Sequence, residues 1–492
     1  MILALDQGTT SSRSLLVGRD GRIAAVSQRA TAPSYPQPGW VELDPRALWE
    51  AQLATAREAL EKAGGAAAVK AIGISNQRET TVVWERTGGA PVAPAIVWQD
   101  RRTADACREL AASGAEELVR ARTGLVLDPY FTATKLRWIL EHVPDGPRRA
   151  ARGELAGGTI DSWLVWNLTG GRLHVTDATN ASRTSLYDLR RGAWDDELLD
   201  LFGVPRELLP EVVDTSAVID ETEPALFGRA LPIAALCGDQ QASLFGHGCD
   251  AAGQAKVTYG TGCFLLAHTG DEPVASTQGL LATVALQRGG RRTYALEGSA
   301  FVGGAAVGWL RDGLGVVASP AEASELAAPL GAGEGGVFVP ALAGLGAPHW
   351  DPAARGAFFG LHLGVTRAHL ARAVLEGVAL QVADLVAAAA ADAGRAPAAL
   401  RVDGGASLSD PLLQFQADVL GVPVQRTAEP ETTALGAAFL AGLACDFWRD
   451  GAEIAALRGQ GRRFEPDPAV DRDALLARWR RAVAAVRQFA AD

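Results

Sequence analysis

The stretch Leu236-Cys237-Gly238-Asp239-Gln240-Gln241-Ala242-Ser243 sets one acid and two amides where an apolar run, Leu231-Pro232-Ile233-Ala234-Ala235-Leu236, ends in a glycine. The run reads as a buried strand, and Ala242-Ser243-Leu244-Phe245-Gly246 picks up helical spacing. A carboxylate at the carboxyl end of a strand in an α/β sheet is placed to act as a catalytic base or to face a metal ion. An Asp there can also do no more than cap the next helix, and for an isolated Gly-Asp that is the commoner use. Its company elsewhere shifts the balance. Asn76-Gln77-Arg78-Glu79-Thr80-Thr81 ends a second apolar run with a guanidinium beside a carboxylate. Neighbours in an extended segment point to different sides, so a salt bridge within the pair is not the obvious reason for it; the two could instead supply donors and an acceptor to one polyhydroxyl ligand. Gln7-Gly8-Thr9-Thr10 and Gly260-Thr261-Gly262 are turns of glycine and hydroxyl residues, whose N–H and O–H groups can wrap phosphate oxygens. Neither is a Walker A loop, since the chain has no Gly-Lys dipeptide; an ordinary hairpin remains the alternative for the first.

The elements that must carry these residues follow in order. Ile2–Asp6 and Ser12–Val17 read as strands around the first turn, and Asp20-Gly21 as a tight turn into Arg22–Gln28. A helix is expected over Pro45–Lys62, a strand over Val69–Ser75, and another strand over Pro94–Arg102 with Trp98 at its edge. Pro129-Tyr130-Phe131 leads into an amphipathic helix near Leu136–Leu140. After Asp239 the pattern begins again with strands Gln254–Tyr259 and Cys263–His268 around the second turn. A glycine-dense helix over Gly303–Leu310, a long helix over Arg367–Ala391 and the strand Leu400–Val402, ending in Asp403-Gly404-Gly405, complete the second half. Two halves that each open strand–turn–strand point to an internal duplication. The one G-x-G-x-x-G match, Gly331, Gly333 and Gly336, follows a helix and precedes a strand, the reverse of the dinucleotide-binding context.

Composition bounds the class. A chain of 492 residues that is 48% hydrophobic can bury two large cores, and a net charge of −11 excludes a nucleic-acid footprint. Five cysteines without a C-x-x-C pair give neither a disulfide framework nor a zinc site. The chain opens directly on Met1-Ile2-Leu3-Ala4-Leu5-Asp6, and the Ala387–Ala391 run is too short and too closely flanked by Asp384 and Asp392 to span a bilayer, so a cytoplasmic protein without membrane insertion is expected. Of the 46 Lys and Arg residues only Lys62, Lys70, Lys135 and Lys256 are lysine, which reads as coding bias.

Asp6-Gln7-Gly8-Thr9-Thr10-Ser11-Ser12-Arg13, Asn76 to Thr81, Gly238-Asp239-Gln240-Gln241, Tyr259-Gly260-Thr261-Gly262-Cys263-Phe264 and Asp403-Gly404-Gly405 together resemble the FGGY family of carbohydrate kinases. The resemblance runs in order from Met1 to about Trp448. It implies an α/β protein of two actin-like, hexokinase-type domains flanking a cleft: 1–247 with the polyol site and the first phosphate hairpin, 248–492 with the second hairpin and the adenosine site. It also implies ATP and Mg²⁺, glycerol as the polyol, and a homodimer or homotetramer. Carried over residue by residue, Arg78, Glu79, Tyr130, Asp239 and Gln240 would bind glycerol, with Trp98 and Phe264 walling its carbons. Thr9, Thr10, Ser11, Arg13 and Thr261 would contact phosphates, and Gly304 and Gly405 would line the ribose and adenine, where glycine lets the backbone approach a flat ligand. Asp6 and Asp239 would face Mg²⁺, and Asp239 would be the base. The chain departs from the family at the adenine end, with Ser409 where Asn is usual and Gly308 where Gln is usual. A kinase for another polyol or ketose such as xylulose, and an actin-like assembly protein that binds ATP without transferring it, stay open as alternatives; intact Asp239 argues against the second.

Overall fold

The computed structural model describes residues 1–459 and 461–491. Its plan follows from one strand arrangement used twice. In the first half, Ile2–Gln7 pairs antiparallel with Ser11–Val17, which pairs antiparallel with Ile23–Ala30. On its other side Ile2–Gln7 runs parallel to Ala71–Asn76, and that strand parallel to Pro232–Gly238. In the second half, Ala255–Tyr259 pairs antiparallel with Cys263–Gly270, which pairs antiparallel with Arg291–Ala300. Ala255–Tyr259 likewise runs parallel to Leu400–Asp403, and that strand parallel to Val424–Arg426. The sheets have six and seven strands, and the extra strand is Leu281–Arg288 at an edge of the second. The duplication read from two turns thus extends through each sheet.

Register then aligns the motifs. Gln7, Asn76 and Gly238 are paired neighbours across three parallel strands. Asp6, the Gln77–Glu79 segment and Asp239 therefore leave the sheet along one edge, although more than two hundred residues separate the first from the last. In the second half Thr258 pairs with Asp403, bringing the second turn and the Asp-Gly-Gly turn side by side. The expected helix Pro45–Lys62 is present to the residue, its first turn capped by the Asp44 carboxylate, which accepts from Arg46 N at 2.8 Å. The expected strand Pro94–Arg102 is corrected: only Ala95–Ile96 is strand. The chain turns over Val97–Asp100, and the Asp100 carboxylate, accepting from Val41 N at 2.6 Å, holds it there.

Each sheet is covered by helices, and the halves trade elements. Helix Arg367–Ala393 is long and apolar enough to cross a membrane, but 83% of its most apolar window is buried, in the core of the second half. Helix Thr432–Ala444 lies in sequence between two strands of the second sheet, Val424–Arg426 and Arg463–Phe464, yet packs on the first sheet. It comes close because glycines meet it: a Cβ on Gly73 would lie 2.2 Å from Ala437 O, and one on Gly246 2.1 Å from Thr432 O. In return, Ala282, Val284 and Tyr294 of the second half join a first-half core with Leu136, Leu186 and Trp194.

Candidate active site

Asp239 is the first residue of helix Asp239–Gly246, directly after strand Pro232–Gly238, as its sequence context requires. Its side chain keeps 31% of its surface exposed, whereas Arg78 beside it keeps 2%. Arg78 Nε lies 3.3 Å from Asp239 Oδ1. Burial pushes the Asp239 carboxyl up from its ordinary range, and the Arg78 charge holds it back. The result is a carboxylate at the mouth of the site, with a lone pair to offer and a raised affinity for a proton.

Arg78 and Glu79 are nearly fully buried and do not pair closely with each other; Nε and Oε1 are 3.9 Å apart. Their partners come from far along the chain. Glu297 of strand Arg291–Ala300 grips the Arg78 fork with two bonds, at 2.6 and 2.9 Å. Arg183 donates to Glu79 Oε1 at 2.6 Å and to Glu297 Oε1 at 3.2 Å, with its guanidinium 5.1 Å from the centre of the Phe131 ring. Two acids and two arginines thus form a neutral buried quartet that joins the halves. Burial works against the Glu297 charge, but Arg183 and Arg78 outweigh it and bring the carboxyl down to about 2. The sequence reading missed both Glu297 and Arg183; the residues were visible, but nothing local distinguished them from surface charges.

Glu79 has φ 61°, an unusual conformation for a residue with a side chain. Its carbonyl is held by Lys135 Nζ at 3.0 Å and Thr81 Oγ1 at 3.0 Å. Lys135 also donates to Tyr130 O at 2.6 Å, so one buried ammonium ties two residues expected at the polyol. Burial lowers Lys135 to about 7, and raises the Tyr130 phenol far above its ordinary range, which keeps it a donor. Trp98 packs edge-on to Tyr130 at 5.7 Å between ring centres and donates its indole N–H to Thr9 Oγ1 at 2.8 Å. The expected carbon wall and the first phosphate turn are therefore in contact. Phe264 pairs across the sheet with Thr258 and Ser299, on the face that also carries Lys256 and Glu297. Since those two touch first-half residues of the site, Phe264 faces it too.

The two glycine and hydroxyl turns are closed by their own backbones: Gly8 N donates to Ser11 O and Gly260 N to Gly262 O, both at 2.9 Å. Thr10 and Thr261 are exposed at the tips, Thr9 and Ser11 half-buried. Arg13 is engaged in an ion pair with Glu431, just before helix Thr432–Ala444. Gly304 needs a correction of cause. A Cβ there would meet Gly260 O at 2.9 Å, so the close approach that requires glycine is to the hairpin of the protein itself. Gly308 and Gly405, by contrast, have nothing within 4 Å of a Cβ, and both border open space. Ser409 is buried, and its hydroxyl accepts from Ser324 Oγ at 2.8 Å.

Asp6 Oδ1 accepts from Ser75 Oγ at 2.8 Å. Burial raises its carboxyl to about 6, and the charge of Asp239 adds to the rise. Among the described residues no cluster of three or more acids, histidines or cysteines forms a metal cage. Two carboxylates at the cleft do fit Mg²⁺, which keeps several waters and takes most of its protein-independent ligands from phosphates.

Two sheets of one topology, each ending in a hydroxyl-rich turn with an acid beside it, define an actin-like, two-domain phosphotransferase fold. Family models match accordingly: the N-terminal domain of the FGGY family of carbohydrate kinases over residues 1–246, and its C-terminal domain over residues 255–445. The chain belongs to the FGGY family of carbohydrate kinases. It is 57% identical to the glycerol kinase of Dechloromonas aromatica over 98% of this chain and 96% of that one. It is 56% identical to that of Aromatoleum aromaticum over 100% and 99%. Among solved structures, Plasmodium falciparum glycerol kinase with ADP superposes with a TM-score of 0.94 at 32% identity, covering 99% of this chain and 98% of that one. Xylulose kinase from Rhodospirillum rubrum follows the same fold at a TM-score of 0.89 and 30% identity, covering 100% and 99%.

Proposed function

We propose that this protein transfers the γ-phosphoryl group of ATP to a terminal hydroxyl of glycerol, giving sn-glycerol 3-phosphate and ADP. The observation that carries the reading is the convergence on Asp239. A partly exposed carboxylate stands at the strand edge shared with Asp6, Arg78 and Glu79. Identities of 57% and 56% to glycerol kinases over almost the whole chain support glycerol as the polyol. In the proposed division 1–247 carries the polyol site and 248–492 the adenosine site.

The mechanism follows from the groups present. Glycerol has three hydroxyls and little apolar surface, so recognising it takes fixed donors and acceptors. Arg78, Glu79, Tyr130 and Gln240 supply them, with Trp98 and Phe264 against the carbons. Asp239 accepts a hydrogen bond from the terminal hydroxyl and takes its proton as the new O–P bond forms and the bond to the ADP oxygen breaks. Thr9, Thr10, Ser11 and Thr261 steady the phosphoryl oxygens. Mg²⁺, when bound, neutralises charge on the phosphates, and Asp6 and Asp239 are the residues that would face it through waters. Closure of the halves keeps out water, a competing nucleophile.

The test is ADP release measured across glycerol, dihydroxyacetone, xylulose, ribulose and gluconate. The highest kcat/KM is expected for glycerol. Faster turnover of xylulose or gluconate would replace this reading with that of another kinase of the family.

A further inference from the structure

Lys256 lies on strand Ala255–Tyr259 of the second half and has no exposed surface. Its ammonium donates to Gln240 Oε1 at 2.6 Å and to Thr258 Oγ1 at 2.9 Å. Gln240 belongs to the first half, one residue after the base, and its backbone N–H donates to Asp239 Oδ1 at 2.7 Å. An ammonium has three donors and no acceptor, so the amide atom against it must be the oxygen. That choice settles the amide: Nε2, with its two N–H bonds, is the atom Gln240 can present to a ligand. A buried lysine is costly, and here burial lowers its proton affinity despite the neighbouring charges of Asp403 and Asp239. Two of only four lysines in the chain, Lys135 and Lys256, are fully buried, and both touch residues assigned to the polyol. Coding bias does not account for that placement. A compact ammonium reaches one amide oxygen where the planar fork of arginine needs more room.

We propose that Lys256 is a positioning residue for the polyol site. By binding the Gln240 oxygen across the two halves, it turns Nε2 toward the substrate, so that Gln240 acts as a donor to a hydroxyl oxygen. The inference rests on the glycerol reading above. It gives the second half a part in orienting a donor to the polyol, through a contact that forms only when both halves are in place.

The experiment is a double-mutant cycle on the full-length enzyme with glycerol and ATP. Lys256→Met frees the amide to rotate, and is expected to raise the glycerol KM about tenfold while the ATP KM moves less than about twofold. In a Gln240→Leu background the same replacement should change the glycerol KM by less than about twofold, because the amide it acts through is gone. Lys256→Arg, also donor-only, should recover part of the loss. An equal effect of Lys256→Met in both backgrounds would show a merely structural role and overturn the proposal. Gln240→Glu keeps a partner for the ammonium but removes every donor. It provides a test that does not depend on Lys256→Met folding: its glycerol KM should rise as far as that of Gln240→Leu, and a wild-type value would overturn the donor assignment. A wild type inactive on glycerol but active on another polyol would instead overturn the substrate reading, and this inference with it.

Discussion

The two ends of the proposed site are built by opposite means. Around the proposed polyol site, Arg78, Glu79, Arg183 and Glu297 are almost fully buried and bonded to one another, and two lysines with no exposed surface hold the neighbouring carbonyls and amide. At the proposed adenine end, Gly308 and Gly405 face open space and the Ser409 hydroxyl is bonded to Ser324. The contrast matches what each ligand offers. Glycerol is small, and discrimination for it must come from polar groups that pay heavily when left unpaired. ATP is large, and its triphosphate gives the two turns enough to hold even where the base is loosely contacted. Precision is concentrated where the ligand is least able to identify itself.

The severest break in this contrast is expected at the base. Asp239→Asn preserves shape but removes the proton acceptor, and kcat should fall at least ~10²–10⁴-fold with a smaller change in glycerol binding. Turnover above about a tenth of wild type would rule out Asp239 in that role. The acid limb of the wild-type profile bears on the same site. Asp239 is raised by burial and Asp6 to about 6, so kcat/KM should fall as pH drops through about 6. An acid limb near ~4, the unperturbed carboxylate range, would show that neither group governs it.

Glu297→Gln sharpens the polyol side. It leaves Arg78 and Arg183 with one acid between them, and breaking a buried pair in this way costs about 3–5 kcal/mol. Denaturant unfolding should show the loss, and the glycerol KM should rise while the ATP KM stays within about twofold. The carboxyl is lowered by folding, from near 4.5 to about 2, so its contribution is complete above pH 4.5 and disappears as pH falls toward 2. The variant should therefore lose stability less steeply than wild type over that interval. An identical acid slope in both proteins would mean that folding does not lower the Glu297 carboxyl.

The smallest effect is expected at the adenine end. With the Ser409 hydroxyl engaged and Gly308 bare, GTP or ITP should support measurable glycerol phosphorylation. Ser409→Asn adds a donor and an acceptor and should move the kcat/KM ratio of ATP over GTP by up to ~1 kcal/mol, about fivefold. A strongly ATP-selective wild type, unchanged by the substitution, would place base recognition on other residues.

Local pattern alone determined a good deal. The apolar runs and the two strand–turn–strand units gave the duplicated plan, and the polar residues closing two of the runs marked Arg78, Glu79 and Asp239. These features are legible because strand alternation, capping and turn chemistry act between residues close in sequence. The tertiary structure alone decided which charges meet. Glu297 lies 219 residues from Arg78 and 114 from Arg183, and it reaches them because a second-half hairpin is packed into a first-half core. Lys135 and Lys256 were indistinguishable from coding bias until burial removed their water and left single oxygens as their partners. The seat of helix Thr432–Ala444 on the first sheet depends on glycines at Gly73 and Gly246 that come near it only after folding. The value of a charge in a protein depends on its solvation and its neighbours. Both are properties of the packed chain, and an order of residues does not contain them.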